Sequence, residues 1–347
     1  MSTRVLALAL ALGVAATPAL ADDGARRVRD PEDTWKSLAR DPEDEIAQRA
    51  YDQAMFDGDT HLDLAVAATM RASREKELKL AIESYEAATR ARPDAPEPHF
   101  RAAAAILRFY LECNPHEAAA LCRGADTFQR HARRVIRHWD AFEAKAPLDP
   151  RLEDDILFER AILHTKLATA EHLAHARDDY KKLLARVTPR QNRFGALASG
   201  NLAETEMMLG DLDAAIIQYG RTLELAQGVS LYFGLAVALD RDEQGQQART
   251  ILRSFGIRGV RDLEAAIVSR DVFYVPEGEA YYYLALGYEA NGIDEAAIRY
   301  YDEFLASGAH PQFAPRARAN RAALVERRSK RKPVDATRDW ERGAPIP

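Results

Sequence analysis

Apolar residues along this chain recur with the 3.6-residue period of helices rather than the alternation of strands. In YYYLALGYEANGIDEAAIRYYDEFLASGAHP, Tyr281, Leu284, Ala285 and Tyr288 fall at i, i+3, i+4 and i+7 and so share one helical face. Asn291-Gly292 ends that helix, because both residues tolerate the left-handed backbone of a helix terminus. A second helix comes next with Ala297, Tyr301 and Phe304 on one stripe, and Gly308 and Pro311 stop it. The unit is a helical hairpin, with aromatics as filling and alanines where the two helices approach.

The second-helix stripe can be traced upstream as a small residue, a bulky one four later and an apolar one three after that. Ala47, Tyr51 and Ala54 fit weakly; Ala81, Tyr85 and Ala88 fit with Pro93 behind them, and so do Val135, Trp139 and Phe142 with Pro147. Ala176, Tyr180 and Leu183, then Ala215, Tyr219 and Thr222, then Ala248, Leu252 and Phe255 continue the series. First helices precede most of these: Ala102, Ala103 and Ile106; Leu163 and Leu167; Leu202 and Ala203; Tyr232, Leu235, Ala236 and Leu239. From Ala81 the small markers step by 54, 41, 39, 33 and 49 residues, so inserts or longer helices separate several units. The largest additions are expected near 113–132 and 259–277.

This pattern resembles the tetratricopeptide repeat, which has a period of about 34 residues. Tyr281, Leu284, Ala285, Tyr288, Ala297, Tyr301 and Phe304 carry the resemblance most fully, and it extends over about residues 46–311 in five to six units. Glu206 stands where an aromatic is expected and His164 where a small residue is expected. The resemblance implies an all-α, right-handed α-solenoid of stacked helical hairpins with a C-terminal capping helix. It also implies an extended concave face for binding. In the family, first-helix positions beside the packing stripe line that face. Here they hold Phe100, Ala104 and Leu107; Glu204 and Met207; Phe233, Val237 and Asp240; Tyr282, Leu286 and Glu289. That mixture of apolar groups and scattered acids suits a peptide or helix laid in a groove. The Lys/Asn clamp by which some family members hold a C-terminal carboxylate is missing from these slots.

Residues 1–21 read as a signal peptide: Arg4, the apolar run Val5 to Ala16, and Ala19-Leu20-Ala21 before Asp22. The expected mature chain is exported, periplasmic or secreted. An uncleaved anchor is the alternative reading, although the apolar run is short for a bilayer span. Residues 22–45 are a charged, Asp-Pro-rich lead-in, 312–332 a basic capping helix, and 333–347 a Pro-containing disordered tail. The overall charge of −6 argues against a general nucleic-acid binder. Cys113 and Cys122, the two cysteines, are expected to form a disulfide in an oxidising compartment.

The cap holds Arg316, Arg318, Arg321, Arg327, Arg328, Lys330, Arg331 and Lys332 against Glu326. It is either a solvated face or a contact for an acidic partner or anionic surface. His172 and His175 share a helix face without metal-ligand spacing, and no GxSxG, GxGxxG or Walker loop occurs. The expectation is therefore a scaffold for another protein or peptide, with no catalytic, cofactor-binding or metal residues and no nucleic-acid partner. By analogy with exported repeat proteins its setting is an envelope assembly serving secretion, motility or biogenesis. Two other readings compete with it. One is a carbohydrate or peptidoglycan binder that stacks sugars on Phe100, Phe233 and Tyr282. The other is a hydrolase with the 259–277 segment or the cysteine segment as a loop over the groove.

Overall fold

The computed structural model describes residues 42–107, 125–146, 149–186, 195–269, 271–272 and 276–330. Among them are thirteen α-helices and no strand. The chain divides into two compact units, the first ending at Leu148 and the second beginning at Asp149.

The first unit contains α1 (Pro42–Ala67), α2 (Arg71–Ala91), α3 (Glu97–Ile106) and α4 (Ala125–Glu143). α1 and α2 form a hairpin, α2 packs on α3, and α3 on α4. Of α1 only small residues are buried: Ala54, Gly58 and Ala65. Gly58 admits the ring of Tyr85, since a methyl carbon placed on it would fall 2.5 Å from that ring. The Tyr85 hydroxyl donates to Asp59 at 2.7 Å, and Arg101 from α3 reaches the same carboxylate at 3.1 Å. Phe100 packs on Trp139 and Phe142, with ring centres 5.6 and 5.4 Å apart.

The structure corrects two expectations in this unit. Residues 42–45, expected in the lead-in, already belong to α1, because Pro42 suits a first helical position and Glu43, Asp44 and Glu45 favour the positive end of the helix dipole. Ala47, Tyr51 and Ala54 lie on the first helix of this hairpin, not on a second one. The segment expected as an insert at 113–132 is helical from residue 125 onward. The expected signal peptide, Cys113, Cys122, Arg331, Lys332 and the expected 333–347 tail lie outside the described residues.

The second unit holds α5 (Pro150–Leu167), α6 (Ala170–Arg186), α7 (Gly195–Leu209), α8 (Leu212–Leu225), α9 (Val229–Arg241) and α10 (Gly245–Val268). It ends with α11 (Glu279–Ala290), α12 (Asp294–Ser307), a 3-10 turn Pro311–Phe313 and α13 (Ala314–Lys330). Each hairpin closes on small residues: Ala161 and Ala176, Ala203 and Ala215, Ala236 and Ala248, Ala285 and Ala297 are all fully buried. Such pairs let helix axes approach to about 8–10 Å. Tyr180, Tyr219, Tyr301 and Phe304 fill the space beside them.

The addition expected at 259–277 is a helix through residue 268. α10 bends sharply at Gly256, whose φ of 61° and ψ of −167° suit glycine alone. Val260 and Leu263, beyond the bend, are buried. The additional half-helix reverses the direction in which the next helix runs. A methyl carbon on Gly287 would lie 2.7 Å from the Phe233 ring, pairing the start of α9 with the end of α11. At the other end Tyr282 bonds Asp240 at 2.6 Å, and Glu279 meets Arg241. α9 and α11 therefore run in opposite directions, whereas first helices of successive hairpins in a regular two-helix stack run parallel.

Candidate functional site

The end of α9, the start of α11, the 3-10 turn and α13 converge on a buried polar network. Arg241 and Glu279 have fully buried side chains, and Arg241 Nη2 stands 2.6 Å from Glu279 Oε1. The second oxygen of Glu279 meets His310 Nδ1 at 2.9 Å. The Arg241 guanidinium carbon lies 4.6 Å from the Tyr282 ring centre and 4.0 Å from that of Phe313, a cation–π contact on each ring. Its Nε and Nη1 meet no acceptor among the described residues. Burial alone would raise the Glu279 pKa, but Arg241 and His310 outweigh it and hold the carboxyl below its ordinary value.

Asp240 anchors the adjoining part. It accepts hydrogen bonds from Tyr282 at 2.6 Å, from Arg316 at 2.8 Å and from Asn320 at 2.8 Å. Asn320 also donates to the Tyr301 hydroxyl at 3.2 Å; that hydroxyl donates to Glu289 at 2.9 Å, and Arg249 reaches Glu289 at 3.2 Å. Burial raises the Glu289 pKa despite these donors. One continuous network thus ties α9, α10, α11 and α12 to the cap.

Glu204 on α7 is different. Its carboxylate accepts the hydroxyls of Tyr219 and Tyr283, each at 2.6 Å, yet the residue is only half-buried. Burial, then the charge of Glu279, raises its pKa. A carboxyl held rigidly in a partly dry position with a perturbed pKa is a candidate for ligand contact.

Most of the other slots expected on a binding face lie inside the protein. Met207, Phe233, Val237, Asp240, Tyr282 and Leu286 are fully buried, and Glu289 nearly so. They serve as core and network because the reversed α11 and the cap cover the face they occupy. Phe100, Ala104, Leu107 and Glu204 remain half-buried. The aromatic platforms needed for sugar stacking are absent at the named positions: Phe233 and Tyr282 are core residues and Phe100 lies against Trp139.

Five of the six basic residues described in the cap are paired with acids. Arg316 pairs with Asp240, Arg321 with Asp302, Arg327 with Asp294, Arg328 with Glu295 and Lys330 with Glu326. Among the described residues no group of three or more His, Cys, Asp and Glu is arranged to hold a metal ion. Nor is any helix there long and apolar enough to cross a membrane.

No family profile matches the chain, and no curated protein does. Solved structures similar to it include MamA, at 14% identity over 63% of this chain and 98% of that one, with a TM-score of 0.40. A tetratricopeptide repeat protein from Parabacteroides merdae shares 14% identity over 78% of this chain and 99% of its own, with a TM-score of 0.33. Yeast Tom70 shares 15% over 84% of this chain and 67% of its own, at 0.29. Similarity at that level assigns nothing by itself. The class rests on the chain's own packing, in which small residues close the four hairpins of the second unit and an aromatic fills the gap beside them in three. It is an all-α array of tetratricopeptide-like hairpins.

Proposed function

We infer that the chain is an exported interaction scaffold that holds a protein or peptide segment along its first helices, within a cell-envelope assembly. The observation that supports this reading best is Glu204. Among the acidic slots expected on the binding face it alone is only half-buried as a residue, while Asp240 and Glu289 are consumed in the network. Two tyrosine hydroxyls fix its carboxylate, so a cationic side chain or an N–H group of a partner meets a preorganised acceptor.

Crosslinking from the native envelope, then pull-down of the full-length protein, tests the reading. A partner that is recovered with the wild type and depleted with Glu204→Gln supports it. Recovery of no protein above background, or retention on peptidoglycan in its place, overturns it. Export is tested separately by sequencing the N-terminus of the processed protein, which should begin at Asp22.

A further inference from the structure

The joint between α5 and α6 is a two-residue connection, Ala168-Thr169. Ala168 adopts a left-handed backbone, φ 57° and ψ 11°, which is unfavourable for a residue with a Cβ. Thr169 accepts the His172 backbone N–H at 3.3 Å as α6 begins. Three imidazoles gather over this joint. His164 is buried in the last turn of α5, and its ring centre lies 5.0 Å from that of His172 and 5.2 Å from that of His175. His164 Nδ1 and His172 Nδ1 are 2.9 Å apart. A bond between two ring nitrogens needs a lone pair on one of them, so protonating both turns that attraction into repulsion.

We propose that this joint is an acid-operated hinge: proton uptake by the imidazole cluster drives the end of α5 from the start of α6 and opens the first hairpin of the second unit. Charged groups stand around the cluster on three helices. On α5 they are Arg160 and Lys166, and Arg160 is bound to Asp179 of α6 at 2.8 Å. On α6 they are Glu171, which lies on the exposed surface, and Arg177 and Asp178, which pair with each other. α7, packed on α6, brings Glu206, which is paired with Lys181 at 3.0 Å. Burial first, then the charges of His172, His175 and Arg160, hold His164 neutral down to a pKa of about 3. Leu163, Leu167 and Leu173, buried beside the joint, would be exposed on opening.

Hydrogen exchange of the backbone amides at several pH values, corrected for intrinsic chemistry and read by peptide mass spectrometry on the full-length protein, tests the hinge locally. For one imidazole kept neutral only in the closed form, opening of residues 160–176 rises by about tenfold per pH unit below the ordinary histidine pKa. Helix α8 should show no such rise. His164→Gln abolishes the acceleration, and His175→Gln, on the exposed side and safe for folding, reduces it. An equal acid response in α8, no acceleration in the wild type, or full acceleration in His175→Gln would overturn the proposal.

Discussion

The second unit holds two polar clusters, one around the buried Arg241 and Glu279 and one around the buried His164, that meet opposite fates on protonation. Around Asp240, Arg241 and Glu279 every acid has a cation or hydroxyl donor, so the cluster is closed electrostatically as well as sterically. Over the α5–α6 joint three imidazoles face one another. The first arrangement is at rest when ionised and the second when neutral. Burial alone therefore does not decide whether a polar cluster fastens a fold or makes it labile; the sign of its neighbours does.

The closed cluster depends most on Arg241. Arg241→Ala strands Glu279 in a dry site and should cost about 3–5 kcal/mol, measured by denaturant unfolding. A similar loss, about 3–5 kcal/mol, is expected for Tyr301→Ala, which removes a fully buried ring and the Glu289 hydrogen bond together. Gly287→Ala should cost about 1–3 kcal/mol, because its methyl group would meet the Phe233 ring at 2.7 Å and Val260 at 3.1 Å. Retention of wild-type stability there would contradict the opposed packing of α9 and α11.

Acid acts on the two kinds of buried group in opposite directions. Burial, then Arg134 and Arg130, lowers His131 to about 4, and His164 lies at about 3. Both pKa values are depressed, so their contribution is complete above the ordinary histidine pKa of about 6.5 and is lost as pH falls toward about 4 and 3. The slope approaches about 1.4 kcal/mol per pH unit for each group. Glu204 and Glu289, raised by burial, act in the opposite sense and gain stability as pH falls through their elevated pKa values. Relative to His164→Gln, the wild-type denaturant midpoint should therefore fall as pH goes from about 7.5 to 4.5. The smallest effect is expected on the exposed edge of the cap, where breaking Arg321–Asp302 should cost less than about 1 kcal/mol and vanish in high salt.

The hairpins were legible in the sequence because small and aromatic residues at helical spacing report which side of a helix packs. Ala81, Tyr85, Ala297, Tyr301 and Phe304 are buried as that spacing requires. The chain of contacts around Asp240 was not legible, since Tyr282, Arg316 and Asn320 lie 42 to 80 residues away from it. Periodicity places Phe233, Val237 and Leu286 beside the stripe but does not say what covers them. The deciding feature was Gly256, whose bend adds a half-helix before α11 and so reverses it. The imidazole cluster was half visible: His172 and His175 share a face by spacing, while His164 joins them through the hairpin.

A double-mutant cycle on Arg241 and Glu279 tests the closed cluster most directly. If the two charges neutralise each other in a dry site, Arg241→Met and Glu279→Leu should each destabilise strongly, and the double variant should lose much less than their sum. Strictly additive losses would contradict it.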